Sequence, residues 1–132
     1  MSNVNTIQRV YGAFGRGDVA AILEMVSDDA DWEYIETPAD VPWLQRRRGK
    51  QGVAAFFQSV AGLEMHRFVP KAFFEHENKV FSVLDIEFTV IATGKKLFEE
   101  DEIHIWKFNP DGKISGFRHR ADTHAHHLAA RK

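Results

Sequence analysis

The spacing of apolar residues changes once along this chain, and the change decides which folds are open to it. Before Met65 they recur at helical intervals: Val4, Ile7, Val10, Tyr11 and Phe14, then Ile22, Leu23, Met25 and Val26. Val53, Phe56, Phe57 and Val60 follow at i, i+3, i+4 and i+7, a single stripe on a third helix entered after Gly49. Gly17 stops the first helix and Asp18 caps the second. Asp31 to Ile35 alternates as a short strand, and a loop with Pro38 and Pro42 comes next. From Met65 onward the period is two. Turn signals at Glu77-Asn78, Thr93-Gly94 and Asn109-Pro110-Asp111-Gly112 divide the remainder into four strands. Three helices followed by hairpin-linked strands predict an α+β arrangement, the helices packed on one face of an antiparallel sheet that curves around them.

A chain of 132 residues with 44% apolar and 27% charged residues has room for one globular domain, residues 1–132. No apolar run approaches the roughly 18 residues that span a bilayer, and MSNVNTIQRV lacks the segments of a secretory signal, so the expectation is a cytoplasmic protein with no membrane partner. The absence of cysteine excludes disulfides, thiolate catalysis and zinc–thiolate sites. A net charge of -2 and a single short basic run, Arg46 to Arg48, argue against a nucleic-acid partner. Gly12, Gly15 and Gly17 form no phosphate loop, so no nucleotide cofactor is expected. His124, His126 and His127 share no single helical face, and the expectation for them is an exposed tail or short helix, not a metal site.

The chemistry-bearing stretch is EDEIHIWKFNPDGKISGFRHRADT, residues 100–123, where a glutamate, histidines and an aspartate interrupt two apolar strands. Ionisable groups among inward positions cost several kcal/mol unless partnered, and a pocket is the usual place for them. Between Val80 and Val90 the inward face is Val80, Ser82, Leu84, Ile86, Phe88 and Val90. The next strand is ambiguous. Glu100, Glu102, His104, Trp106 and Phe108 share one face, and Glu99, Asp101, Ile103, Ile105 and Lys107 the other, so His104 is inside only if Trp106 is.

The strings RVYGAFGRGDVAAILEMVSDDADWEY, RRGKQGVAAFFQSV and IHIWKFNPDGKISGFRHRADT, in this order, resemble the nuclear transport factor 2-like superfamily, in its SnoaL-like and ketosteroid isomerase-like branch. The resemblance implies a cone-shaped α+β domain, a strongly bent, mostly antiparallel sheet wrapped around three helices, with a hydrophobic pocket at the wide end. It implies a homodimer through the outer sheet face, and it turns His104 into the pocket. Carried over residue by residue, the steroid isomerase base falls on Tyr34, its tyrosine on Val10 and its protonated acid on His104. All three are replaced, which argues against that mechanism, and Tyr11 lies on a different side of its helix. The SnoaL-like cyclases, which use a histidine on this strand and an aspartate on the last, match better through His104 and Asp122, although Asp122 reaches the pocket only if its strand bulges. The epoxide hydrolase-like members need an arginine relay and an asparagine that have no counterparts here.

The expected catalytic residues are therefore His104 as acid/base, Asp122 or Glu102 as its partner and Tyr34 as hydrogen-bond donor. The expected pocket wall is Trp32, Phe57, Leu84, Ile86, Phe88, Glu102, Trp106, Phe117 and His119, suited to a flat, small hydrophobic molecule. No cofactor or metal is expected. The activity implied is a cofactor-independent isomerase, cyclase or hydrolase acting on an apolar carbonyl or polyketide-like compound, and the alternative is a non-catalytic small-molecule-binding or dimerisation module. Catalysis by His104 requires a carboxylate or tyrosine oxygen within about 3.2 Å and a cavity in front of the ring.

Overall fold

The computed structural model describes residues 2–34 and 40–132. Ile35 and Pro38, placed by sequence in a strand and a loop, lie outside the described residues. The first helix forms where the periodicity puts it, α1 at Asn3–Gly15, but α2 is shorter than expected, Val19–Glu24. Met25 caps it, and Val26, expected on the helix, already opens the first strand, ahead of the expected start at Asp31. The Ser2 hydroxyl accepts from the Asn5 amide and the Asp18 carboxylate from the Ala21 amide, so each helix has a side-chain N-cap. Gly17 sits between them at φ 69°, the left-handed geometry that ends α1 at little steric cost.

Then come β1 (Val26–Trp32), a single 3₁₀ turn at Pro42–Leu44, the short β2 (Arg47–Arg48) and α3 (Gly49–Val60). The period-two half folds as β3 (Leu63–His76), β4 (Lys79–Val90), β5 (Lys96–Phe108) and β6 (Ile114–Arg120), and α4 (Thr123–Ala130) closes the chain. The strands make one curved, open six-stranded sheet in the order β2-β1-β6-β5-β4-β3. Only β1 and β6 pair in parallel; the other neighbours are antiparallel. The helices α1 to α3 fill the concave side, burying Ile7, Val10, Ala13, Ile22, Val53 and Phe56 against Trp32, Trp106 and Phe117. No helix among the described residues is long and apolar enough to cross a membrane.

Two backbone irregularities decide which side chains face inward. In β5 the pairing slips between Leu84 and Ile86 of β4, which oppose Glu102 and Glu99. One extra residue is accommodated as a bulge, with Asp101 at φ 61°. The Asp101 amide donates to Asp85 at 3.1 Å, and Lys71 bridges both aspartates. Glu99 and Glu102 thus share the inner face, where strict alternation predicts opposite faces. At the end of β1, Glu33 adopts φ 53°. Trp32 and Glu33 are consequently both fully buried, and the alternation that predicts Tyr34 inward is broken there.

Candidate functional site

A cavity opens between the helices and the inner sheet face, lined by aromatic and aliphatic side chains with His104, His119, His126 and Glu102 among them. Its volume is about 70 Å³. A single water needs roughly 10–15 Å³ by the same measure, so the cavity admits several waters or a compact organic group. Trp32, Trp106 and Phe117 form its apolar floor, with ring centroids 4.4 to 5.8 Å apart. The half-buried Phe57, Leu63, Met65 and Phe68 line it as well, and these are the side chains with freedom to give way to a larger ligand.

His104 holds the centre of a hydrogen-bonded line. Its Nε2 lies 2.9 Å from Glu102 Oε2 and its Nδ1 2.7 Å from the Tyr11 hydroxyl. Tyr11 in turn meets Ser82 Oγ at 2.5 Å and accepts from the Trp106 indole at 3.3 Å. Burial, opposed by the bond to Glu102, depresses the His104 pKa, so the ring is neutral at pH 7. Burial alone would raise the Glu102 pKa, but hydrogen bonds from His104 and His126 outweigh it and keep this group ionised. A neutral imidazole facing a carboxylate carries its one proton on that side. The order is therefore fixed: Ser82 donates to Tyr11, Tyr11 to His104 Nδ1, and His104 Nε2–H to Glu102. Burial also pushes the Tyr11 phenol well above its ordinary range, which keeps it a donor.

His119 stands opposite His104, in register across β5 and β6, with ring centroids 5.0 Å apart and planes at 85°. Glu33 Oε1 accepts from the His119 backbone amide at 3.0 Å and also from the ring Nδ1–H. Burial disfavours the imidazolium of His119, but the charge of Glu33 and the bond to it outweigh burial and raise the pKa. The left-handed kink at Glu33 is what brings this carboxyl under His119.

A third histidine joins from α4. His126 Nε2 donates to Glu99 at 2.8 Å and approaches Glu102 Oε1 at 3.5 Å, and the Trp43 indole donates to Nδ1 at 2.9 Å. Burial lowers the His126 pKa, yet the bonds to Glu102 and Glu99 carry it up to about 9. The Trp43 bond pulls the other way, because an indole N–H can only donate and so requires a lone pair on Nδ1. Both contacts to His126 are satisfied by the neutral ring with its proton on Nε2, the form that the Trp43 geometry requires.

Of the residues expected at the pocket, Trp32, Phe57, Ile86, Phe88, Glu102, His104, Trp106, Phe117 and His119 line the cavity. Leu84 does not; it is buried in the core beside it. Asp122 is an exposed N-cap, its carboxylate accepting from the Ala125 amide at 3.0 Å, and it makes no contact with His104. Tyr34 lies on the outer side of the sheet, with Lys107 Nζ 3.9 Å from its ring centroid and Arg118 5.7 Å away. It cannot donate into the pocket. Glu102, an expected solvated strand end as much as a partner, is buried, and so is His126, expected in an exposed tail. His124 is exposed and stacks on His127.

Sequence reasoning set Tyr11 aside as lying on a different side of its helix, yet its hydroxyl reaches His104 in the cavity wall; Glu33, Trp43 and Glu99 it missed. Tyr11 had a usable signal, since it stands four residues after Ile7 and three before Phe14 on the same stripe. The others had none, because left-handed backbone and distant contacts place them.

The curved sheet around three helices is the nuclear transport factor 2-like fold. Residues 7–117 match the model of the SnoaL-like domain, and the chain belongs to that family. A nuclear transport factor 2-like protein of unknown function from Burkholderia pseudomallei K96243 is similar over 100% of both chains, with TM-score 0.83 and 25% identity. Another, from Burkholderia xenovorans LB400, has TM-score 0.84 at 24% identity over 98% of this chain and 95% of its own. TerC, co-crystallised with polyporic acid, has TM-score 0.78 at 25% identity over 98% of each chain. No curated protein matches the chain.

Proposed function

We propose that this protein binds a compact, planar, largely apolar carbonyl compound and moves a proton on it, as an isomerase or cyclase does. The observation that carries this reading is the line Tyr11–His104–Glu102 set into the wall of an otherwise apolar aromatic cavity. It meets the geometric requirement for His104 twice over, with a carboxylate and a tyrosine oxygen both within hydrogen-bond reach. Asp122 and Tyr34 drop out of the mechanism; Glu102 and Tyr11 take their places.

The steps follow from the donor order. A ligand carbonyl oxygen takes the Tyr11 hydroxyl as hydrogen-bond donor, which frees the lone pair on His104 Nδ1. That lone pair removes a proton from the adjacent carbon, the electron pair moves to the oxygen as an enolate held by Tyr11, and Glu102 stabilises the resulting imidazolium. Returning the proton to another carbon completes an isomerisation, and attack of the enolate on a second carbonyl closes a ring. His119, braced by Glu33, stands beside His104 on the neighbouring strand as a second donor.

Non-catalytic binding has one observation in its favour: both nitrogens of His104 are already bonded, so the pocket is complete without a reaction. TerC's co-crystallisation with polyporic acid makes that compound one to test for binding here. The homodimer belongs to the same reading, since Phe74 and Phe98 are 60% and 53% exposed on outward positions of β3 and β5.

The test is deuterium uptake from D₂O at carbons adjacent to a carbonyl, followed by NMR for a set of cyclic ketones and diketones. Exchange above the buffer rate that is lost in His104→Ala supports proton transfer. No exchange with any member of the set leaves binding as the function.

A further inference from the structure

Glu102, His104 and His119 each offer a donor atom, and the three lie within 4.8 Å of one another at the cavity wall. We infer that these three side chains form a site for a divalent first-row cation of zinc or ferrous type, with its remaining positions open to the cavity. No metal is expected from the sequence, which sets aside the C-terminal histidines and does not bring Glu102, His104 and His119 together as ligands.

Spacing supports the assignment. Two donors held about 2.1 Å from one ion stand roughly 3.0–3.4 Å apart, and His104 Nε2 and Glu102 Oε2 are already 2.9 Å apart. His119 closes the triangle with a modest side-chain movement. Glu102 Oε1 points instead toward His126 at 3.5 Å, so Oε2 is the oxygen of this residue that the site would use.

The outer contacts fit a metal ligand set. A coordinating imidazole donates its other N–H to a carboxylate or a comparable acceptor, which fixes tautomer and ring orientation. His119 Nδ1 has Glu33 in that role, leaving Nε2 for the ion. His104 has Tyr11, and here the hydroxyl chain is reversible. With a metal on Nε2, His104 Nδ1–H donates to Tyr11, Tyr11 to Ser82, and no heavy atom moves.

The neighbouring cluster of Glu99, Glu102 and His126 has similar spacing but fails the same test. Trp43 can only donate to His126 Nδ1, so the proton stays on Nε2 and blocks that nitrogen. The site is thus assigned to one cluster and refused to the other by tautomer alone.

The experiment is titration of the chelator-treated protein with Co²⁺, read by its visible absorption, and with Zn²⁺, read by thermal stability. The expected result is one Co²⁺ per chain with bands of nitrogen–oxygen ligation. Affinity falls at least tenfold in Glu102→Gln and His119→Gln and is unchanged in His124→Ala/His127→Ala. Glu33→Gln, which leaves every ligand in place, weakens binding by about 10–100-fold. Absence of binding, binding retained in Glu102→Gln, or loss in the His124/His127 variant, which would reveal a surface chelate, each overturns the assignment. If a ligand variant fails to fold, ¹⁵N spectra of histidine-labelled wild type decide: Zn²⁺ must shift His104 and His119 and leave His124 and His127 in place. The inference does not depend on proton transfer, because the titration needs no substrate and the exchange assay is run with chelator.

Discussion

The hydroxyl of Tyr11 lies 2.7 Å from Nδ1 of His104, joining the first helix to the fifth strand at the cavity wall. Through that contact an element read from its helical period reaches a histidine read from its strand period. The hydroxyl also serves Ser82 and the Trp106 indole.

Tyr11→Phe leaves three buried polar groups short of a partner. Each unsatisfied buried group costs about 1–3 kcal/mol, so the variant is expected to lose about 1–3 kcal/mol or more in urea denaturation, along with any proton-exchange activity. Tyr34→Phe, on the outer sheet face, is expected to stay within about 0.5 kcal/mol of wild type with activity intact. Equal effects of the two variants would contradict the placement.

Asp122 separates a capping role from a catalytic one. Asp122→Ala removes the α4 N-cap and is expected to cost about 1 kcal/mol, whereas Asp122→Asn, also a good cap, costs a few tenths. Neither changes ligand binding in the pocket. Loss of binding in a folded Asp122→Asn protein would restore the aspartate to the site.

The bulge in β5 rests on Asp101 in left-handed backbone. Asp101→Val forces a β-branched residue into that region and is expected to destabilise by about 1–2 kcal/mol. Asp101→Gly relieves the backbone while losing Lys71, and is expected to remain the more stable of the two in thermal melts.

Asp85 gives the stability curve an acid limb. The hydrogen bond from Lys71, then that from the Asp101 amide, holds its carboxyl below the usual carboxylate range. A group whose folded pKa lies below its unfolded value, about 3.9, contributes fully above that pH and loses its contribution as pH falls through the folded value. Stability from this network is therefore constant near neutrality and declines below about pH 4. Asp85→Asn is expected to flatten that decline in melts recorded between neutral and acid pH.

Much of this was legible in the chain. Val53, Phe56 and Val60 marked α3, the glycine- and asparagine-bearing turns marked the hairpins, and Val80 to Val90 announced its inner face correctly. His119, expected in the pocket wall, lines it in register with His104. What escaped the sequence escaped at single residues. Asp101 and Glu33 adopt positive φ, a region that non-glycine residues enter uncommonly and that a residue-by-residue alternation does not anticipate. Each shifts the inward set by one position, admitting Glu99 in one case and exchanging Tyr34 for Glu33 in the other. His126 sits in a weakly amphipathic helix that only Glu99, Glu102 and Trp43, all remote in sequence, draw into the core.

The claim that a small molecule binds against His104 is tested most directly by thermal stability. The panel holds steroids, anthraquinone-like polyketides, terpene epoxides, fatty acids and polyporic acid, run on wild type and His104→Ala. A ligand at a hundredfold excess over Kd adds about 2.7 kcal/mol, a visible shift. The account predicts that a planar carbonyl class raises the melting temperature of wild type and raises that of His104→Ala clearly less. A panel in which no compound shifts wild type, or in which both proteins respond equally, would contradict it.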